Sequence, residues 1–223
     1  MAILSRELGI DLGTMFIRIV EGGRIVLQEP TIVAVDVNEQ KIVAVGEEAL
    51  GMLGRVQEES IEVIRPLQKG VVAYYELTEL LLDHLVRKVS TSVRFFKPRI
   101  MITHPYGITS VERRAVHEAA LQVGDAHLVS QPLAAALGID LPVATPTGNM
   151  VVCMGGGCTQ AAVIAVNDVV SGETLRVGGG DLDDAIAGYV RRKYGLHIGQ
   201  RTAEKPQYLD FTHAFQEARD RVG

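Results

Sequence analysis

The chain contains no tryptophan, and aromatic residues make up only 5% of its 223 positions. That scarcity argues against a protein that grips single strands by stacking bases on rings. A formal net charge of −5 likewise leaves no basic footprint for nucleic acid, and none is expected as a partner. Cysteine occurs twice, at Cys153 and Cys158, both inside one glycine-rich stretch. Two such residues cannot build a disulfide framework, and they fit a reducing cytoplasm. No apolar run approaches the length needed to cross a bilayer, and the first residues lack the apolar core of a signal peptide. His104, His117, His127, His197 and His213 are scattered without the spacing of metal ligands.

What is present is an ample supply of core. Hydrophobic residues account for 47% and charged residues for 22%, the balance of a globular chain of one large domain or two small ones. The chain is organised around 151–166, an apolar strand, the turn Gly155-Gly156-Gly157, and a second apolar strand. Three glycines leave no side chain between the backbone N–H groups and a ligand, which suits close approach of a phosphate. An ordinary hairpin would need no more than that. A second copy tips the reading: Leu8 to Val20 repeats strand, glycine turn (Asp11-Leu12-Gly13-Thr14) and strand. Each copy continues through a short polar turn into a third strand, so two related half-domains facing one ligand are expected.

Between the copies, 41–45 reads as a strand, 47–53 as a short helix, and 61–70 as a small, partly exposed sheet ending in a turn. Residues 76–89 form a helix with Leu77, Leu80, Leu81, Leu85 and Val89 on its inner face. Thr109-Ser110-Val111-Glu112 is a capping box opening a helix with Val111, Ala115, Ala119 and Val123 inward. Pro132 starts a small alanine-rich helix ended by Gly138. Leu141 to Gly148, with two prolines, reads as a hinge between halves. A helix from Asp181 to Gly195 has an acidic first turn and a basic last turn, matching its dipole. Strand meanders followed by helices imply an α/β architecture.

The glycine turns, together with Gly178-Gly179-Gly180-Asp181, resemble the actin, Hsp70 and sugar-kinase fold, a ribonuclease H-like, two-lobed ATPase architecture. Within it the chain is similar to the bacterial MreB family of actin-like rod-shape proteins. The blocks that carry the likeness include 25–30, 42–46, 64–71, 111–115, 132–138, 141–143 and 189–195, and the likeness spans roughly residues 5–204. It implies a first lobe over 1–141, with a small subdomain at about 30–73, and a partial second lobe over 142–223. It implies ATP as the nucleotide, with Mg²⁺ ordered through Asp11. The first phosphate loop would comprise Asp11, Gly13, Thr14, Met15 and Phe16, and the second Gly155, Gly156 and Gly157. Gly179 and Gly180 would lie where the chain passes the nucleotide, and Glu204 where adenosine contacts begin.

Departures from the family cluster at the chemistry. Gln131 stands where the family has an acid that orients the attacking water; an amide can hydrogen-bond water but cannot take its proton. Actin has glutamine in the comparable place. Cys153 replaces the Asp that opens the second loop, and a thiol is a poor substitute for a Mg²⁺-ordering carboxylate. Cys158 replaces a loop threonine, while Met15 and Phe16 add bulk. Drift neutral to folding and loss of hydrolysis both fit these changes; a redox or metal pair of the two thiols is a third reading. Lys205-Pro206-Gln207 is expected to interrupt the family's next helix. Beyond it Tyr208 to Val222 has amphipathic spacing, with the family's second adenosine loop absent. A fragment, a frameshifted gene and a short paralogue all fit.

Phe95 and Phe96, set among Arg87, Arg94 and Lys97, suit insertion at an anionic membrane surface, as a hydrophobic loop does in the family; rings folded onto the core are the alternative. The resemblance thus implies a filament-forming, ATP-binding cytoskeletal protein at the inner face of the cell membrane. It would work in cell shape with the cell-wall synthesis machinery, its ATP hydrolysis impaired. The alternative is a non-catalytic, truncated actin-like module that binds nucleotide weakly and works through protein partners.

Overall fold

Alternating burial along Glu7–Leu12 (β1), Phe16–Glu21 (β2) and Arg24–Pro30 (β3) builds an antiparallel meander. The computed structural model describes residues 6–39, 41–53, 60–90 and 97–208. Val33–Asp36 (β4), Lys41–Val45 (β5) and, after the short helix Glu47–Met52 (α1), Ile61–Ile64 (β6) form a small sheet ordered β5-β4-β6. Leu67–Gln68 (β7) and Val71–Val72 (β8) are a tight hairpin whose turn places Lys69 and Gly70 at φ 50° and 84°. Helix Tyr75–Val89 (α2) leads to Arg99–His104 (β9), helix Ser110–Val123 (α3) and Asp125–Ser130 (β10). Strands β9 and β10 run parallel beside β1 and complete a five-stranded sheet, β10-β9-β1-β2-β3. Leu8, Ile10 and Leu12 on β1, Leu81, Leu82 and Leu85 on α2, and Val116, Ala119 and Ala120 on α3 share its core.

Helix Gln131–Gly138 (α4) follows β10 without a break and packs on the second meander, Asn149–Met154 (β11), Thr159–Ala165 (β12) and Asp168–Leu175 (β13). Helices Gly179–Tyr194 (α5) and Gln200–Tyr208 (α6) close the described chain. The two meanders repeat in detail: each has a register shift in its middle strand, at Ile19/Val20 and at Val163/Ile164. They differ in cover. Met150, Val152 and Met154 on β11 are exposed, whereas their counterparts Leu8, Ile10 and Leu12 are buried beneath α2 and α3.

Five expectations need correction. Leu80 is 48% exposed and Val111 76%. The inner face of α2 runs through Thr78, Leu81, Leu82, Leu85 and Val86, and that of α3 through Val116, Ala119 and Ala120, each rotated by about 70° from the stripe expected, with Leu81, Leu85 and Ala119 common to both and Leu77, Val89 and Val123 partly buried against the core. Leu141 to Gly148 is not a free hinge: Val143 is buried in the second lobe's core, and Asn167 N–H donates to Val143 O at 2.8 Å. Helix α5 starts at Gly179, two residues before Asp181, whose Oδ2 accepts from Gly178 N–H at 2.9 Å. Lys205-Pro206-Gln207 does not interrupt α6, which runs on to Tyr208; the proline removes one amide donor without ending so short a helix. Phe95, Phe96 and the stretch after Tyr208 lie outside the described residues.

Core placement separates neighbouring leucines. Leu81→Ala should lower the unfolding free energy by about 2–5 kcal/mol, and Leu80→Ala by less than about 0.5 kcal/mol, in urea denaturation of the two variants.

Candidate functional site

The parallel strands β9 and β10 end, with β1, at one edge of the first sheet, where open α/β sheets hold ligands. Opposite that edge lies the turn between β11 and β12. Between them is a cavity of about 900 Å³, lined from the first lobe by Asp11, Gly13, Thr14, Met15, Phe16 and Gln131. From the other side it is lined by Cys153, Gly155, Gly156, Gly157, Gly179, Gly180 and Glu204. Every candidate nucleotide-site residue in the sequence therefore borders one cavity.

The approach of the loops depends on missing side chains. A Cβ on Gly156 would overlap the Met15 side chain, and one on Gly157 would overlap the Thr14 hydroxyl. A Cβ on Gly178 would fall 2.5–2.7 Å from backbone atoms of Gly155 and Gly156. The N-terminus of α5 is joined to the second loop, since Gly179 and Gly180 N–H donate to the Gly155 and Gly156 carbonyls, each at 2.9 Å. Those two α5 amides are thereby committed to backbone. Gly155 N–H is likewise held by Cys158 O, so Gly156 and Gly157 are the amides the turn can turn toward an anion. On the first loop, Thr14 Oγ1 accepts from Gly70 N–H at 2.9 Å and Gly13 O accepts from the Thr31 hydroxyl at 2.8 Å.

Asp11 is held on both oxygens. The Thr103 hydroxyl donates to Oδ1 at 3.1 Å, and Arg18, its cross-strand partner in register, lies 3.3 Å from Oδ2. Arg18 is steadied in turn by Gln28 and by the face of Phe16, 6.0 Å from the ring centroid. Cys153 lies in the same cavity, and burial together with the Asp11 carboxylate pushes its thiol pKa up. Burial pushes Cys158 up as well, against the opposing pull of Arg176. Both cysteines are free and hold their protons at neutral pH, so neither is a ready cation ligand. Among the described residues no cluster of three or more His, Cys, Asp or Glu side chains is arranged to hold a metal ion.

Gln131, the first residue of α4, is hydrogen-bonded through Oε1 to Gln160 Nε2 at 2.7 Å. Cross-cleft contacts tie the small first-lobe elements to α5 and α6: Lys69 pairs with Asp181, and Arg65 donates to Gln200 Oε1 at 3.4 Å. Burial lowers the Arg65 pKa, with the Glu204 and Asp183 carboxylates opposing that shift. Between the lobes, Arg176 pairs with Glu112 at 2.7 Å. Thr103, Arg18, Gln160, Gly70 and Asp183 also line the cavity and were not singled out from sequence. Arg18 and Gln160 carried a signal: one faces Asp11 by strand register, the other is a lone amide in an apolar strand. Thr103 and Gly70 enter only through tertiary packing.

Two α/β lobes around a cavity walled by paired glycine turns define an actin-like protein. The MreB/Mbl protein family is matched over residues 5–220, and the chain belongs to it. It is 45% identical to the cell shape-determining protein Mbl of Bacillus subtilis over 205 residues, 91% of this chain and 61% of that protein. It is 44% identical to the cell shape-determining protein MreB of Escherichia coli over 211 residues, 91% of this chain and 60% of that one. The chain thus spans about three-fifths of the length of these relatives. Among solved structures, MreB5 of Spiroplasma citri bound to AMPPNP superposes with a TM-score of 0.83 at 29% identity, over 92% of this chain and 62% of that one. The MamK double helical filament superposes with a TM-score of 0.73 at 22% identity, over 89% of this chain and 63% of that one, a likeness of fold.

Glu112 gives a pH test of the lobe contact. Burial raises its pKa, but hydrogen bonds from Thr109 N–H, Arg176 and the Thr109 hydroxyl more than offset this, and the net shift is downward. A carboxylate with a lowered folded pKa contributes stability above its ordinary titration range and loses it as pH falls through the folded value. Thermal melts from pH 7 to pH 3 should therefore show a smaller acid-side loss of Tm in Glu112→Gln than in the parent chain.

Proposed function

We propose that the chain binds ATP between its two glycine loops and hydrolyses it much more slowly than complete members of its family. The observation that carries this reading is the pair of loops, Gly13–Phe16 and Gly155–Gly157, bordering one cavity together with Asp11. Backbone amides at such turns favour phosphate oxygens. Against them stand, among the described residues, three carboxylates, Asp11, Asp183 and Glu204, with Arg18 the single lysine or arginine in the lining. A polyphosphate entering so acidic a cavity needs a divalent counter-ion. Asp11, a carboxylate beside the first loop, fits Mg²⁺ held through its water shell; the ion would neutralise phosphate charge. Cys153 offers no matching oxygen on the second loop. Glu204 supplies one acceptor for adenosine.

Slow hydrolysis follows from the same residues. Phosphoryl transfer depends on positioning and charge neutralisation, and this site has half the expected acidic frame and an amide where a base would stand. A non-catalytic module working through partners is the second reading, favoured by the protonated Cys153 thiol. Under either reading the chain acts as an actin-like cytoskeletal subunit in cell-shape determination, associating with copies of itself and with the cell-wall synthesis machinery. No helix among the described residues is long and apolar enough to cross a membrane. Contact with the inner face of the cell membrane would instead run through Phe95 and Phe96.

Two outcomes test this. Titration with ATP in the presence of Mg²⁺ should give saturable binding that Asp11→Ala weakens by about tenfold or more, with phosphate release far below that of Bacillus subtilis Mbl measured alongside. Turnover equal to that protein's would overturn the slow-hydrolysis reading. Replacing Phe95 and Phe96 by Ser should reduce sedimentation with anionic vesicles and leave neutral vesicles unaffected; unchanged sedimentation would remove the membrane role.

A further inference from the structure

The two meanders are built alike, so the cover of one shows what the other accepts. On the first, Leu8, Ile10 and Leu12 are buried beneath the helices α2 and α3. On the second, α4 covers the face that carries Val151 and Ile164, which meet Ala136 and Val143. Strand register puts Met150, Val152 and Met154 on the opposite face, together with Val163 and Ala161 of β12 and Leu175 of β13. Met150, Val152, Met154 and Leu175 are 54–80% exposed. A contiguous apolar surface of this kind marks a place of contact. Its methionines adapt to a partner's shape and pack well against aromatic rings.

We propose that this face is the docking surface for the chain's own segment 209–223, laid on it as a helix through Phe211, Phe215, Ala218 and Val222. Residues 209–223 lie outside the described residues. Sequence, size and attachment select them. The four apolar positions follow one another at i, i+4, i+7 and i+11, one helical stripe, with Asp210, His213, Gln216, Glu217 and Asp220 on the other side. From Phe211 to Val222 a helix runs about 17 Å, and from Met150 to Met154 a strand runs about 14 Å. A helix about 10 Å across also matches the width of three strands. Glu204 on α6 borders the same cavity as Leu182 and Met154, so α6 has brought the chain back to the base of α5. There the Thr159 hydroxyl donates to Val177 O at 2.9 Å, which ties that base to the Met154–Leu175 end of the face. The segment therefore starts where the face begins, and its tether keeps it at high local concentration. A helix this short is marginal alone in water, so it forms on docking. The open groove on the first sheet is a poorer seat: among its described lining residues Met101 is the exposed large apolar one, beside Glu7, Arg99 and His127.

Two measurements on the full chain test this. In Phe215→p-benzoylphenylalanine, irradiation should join residue 215 to Met150, Val152 or Met154 of the same chain, read by mass spectrometry in an equal mixture of ¹⁵N-labelled and unlabelled protein. In the parent chain, amides over 211–222 should exchange about tenfold or more slowly than those of an unstructured peptide of the same sequence. Val152→Lys, which sets a charge in the middle of the face, should abolish that protection, while Met101→Lys leaves it in place. Free exchange over 211–222 in the parent, protection that survives Val152→Lys, or cross-links that are absent or fall on Met101 would overturn the proposal. Cross-links between heavy and light chains would also overturn it and give the face to a second copy. The cross-link is read with Val152 intact, so it decides the matter even if Val152→Lys does not fold.

Discussion

Backbone meeting backbone at glycine is the constraint on which the cleft depends. Gly155 and Gly156 receive the first amides of α5, and Gly178 lies so close to them that any Cβ would collide with main chain. Main-chain atoms cannot move aside as a flexible side chain can, so this junction sets where α5 leaves the second loop. The placement of α5 brings Asp181 to Lys69, and α6 after it brings Glu204 to the cavity wall and Gln200 to Arg65. A single substituent at Gly178 would therefore disturb the loop, the cross-cleft pairing and the far wall together. The first loop depends on the same device, because Thr14 and Met15 sit in space that side chains at Gly157 and Gly156 would fill.

Electrostatics work in the opposite sense to this steric closeness. Among the described residues the lining holds more carboxylate than cation, so the phosphate site proposed above needs amides and a divalent ion acting together. Arg18 partly screens Asp11 while Thr103 orients it. Cys153, where a second carboxylate would complete the frame, is kept protonated by burial and by the charge of Asp11 itself.

Much of this was legible before any coordinates. The strand–glycine–strand repeat located both loops, since apolar alternation and glycine runs are local signals that survive in any context. The capping box at Thr109 and Glu112 was equally local and is present, with Glu112 N–H donating to Thr109 Oγ1 at 3.2 Å. Errors arose where tertiary packing decides among equivalent local choices. Leu80 and Leu81 are adjacent and chemically identical, and only the position of the sheet determines which is buried. The two prolines after Leu141 suggested a flexible link, but burial of Val143 against α4 and β11 overrides them. Gln160 was passed over because a single amide in an apolar strand has no meaning until its partners, Tyr106 and Gln131, are brought from 54 and 29 positions away.

The central claim is that two loops from two half-repeats hold one nucleotide. Hydrogen–deuterium exchange of the full chain, with and without Mg²⁺ and a non-hydrolysable ATP analogue, tests it directly. The account predicts simultaneous protection of the amides in Gly13–Phe16 and in Gly155–Gly157, saturating at the same ligand concentration. Protection of one loop alone, or of neither at a concentration that saturates binding, would contradict it.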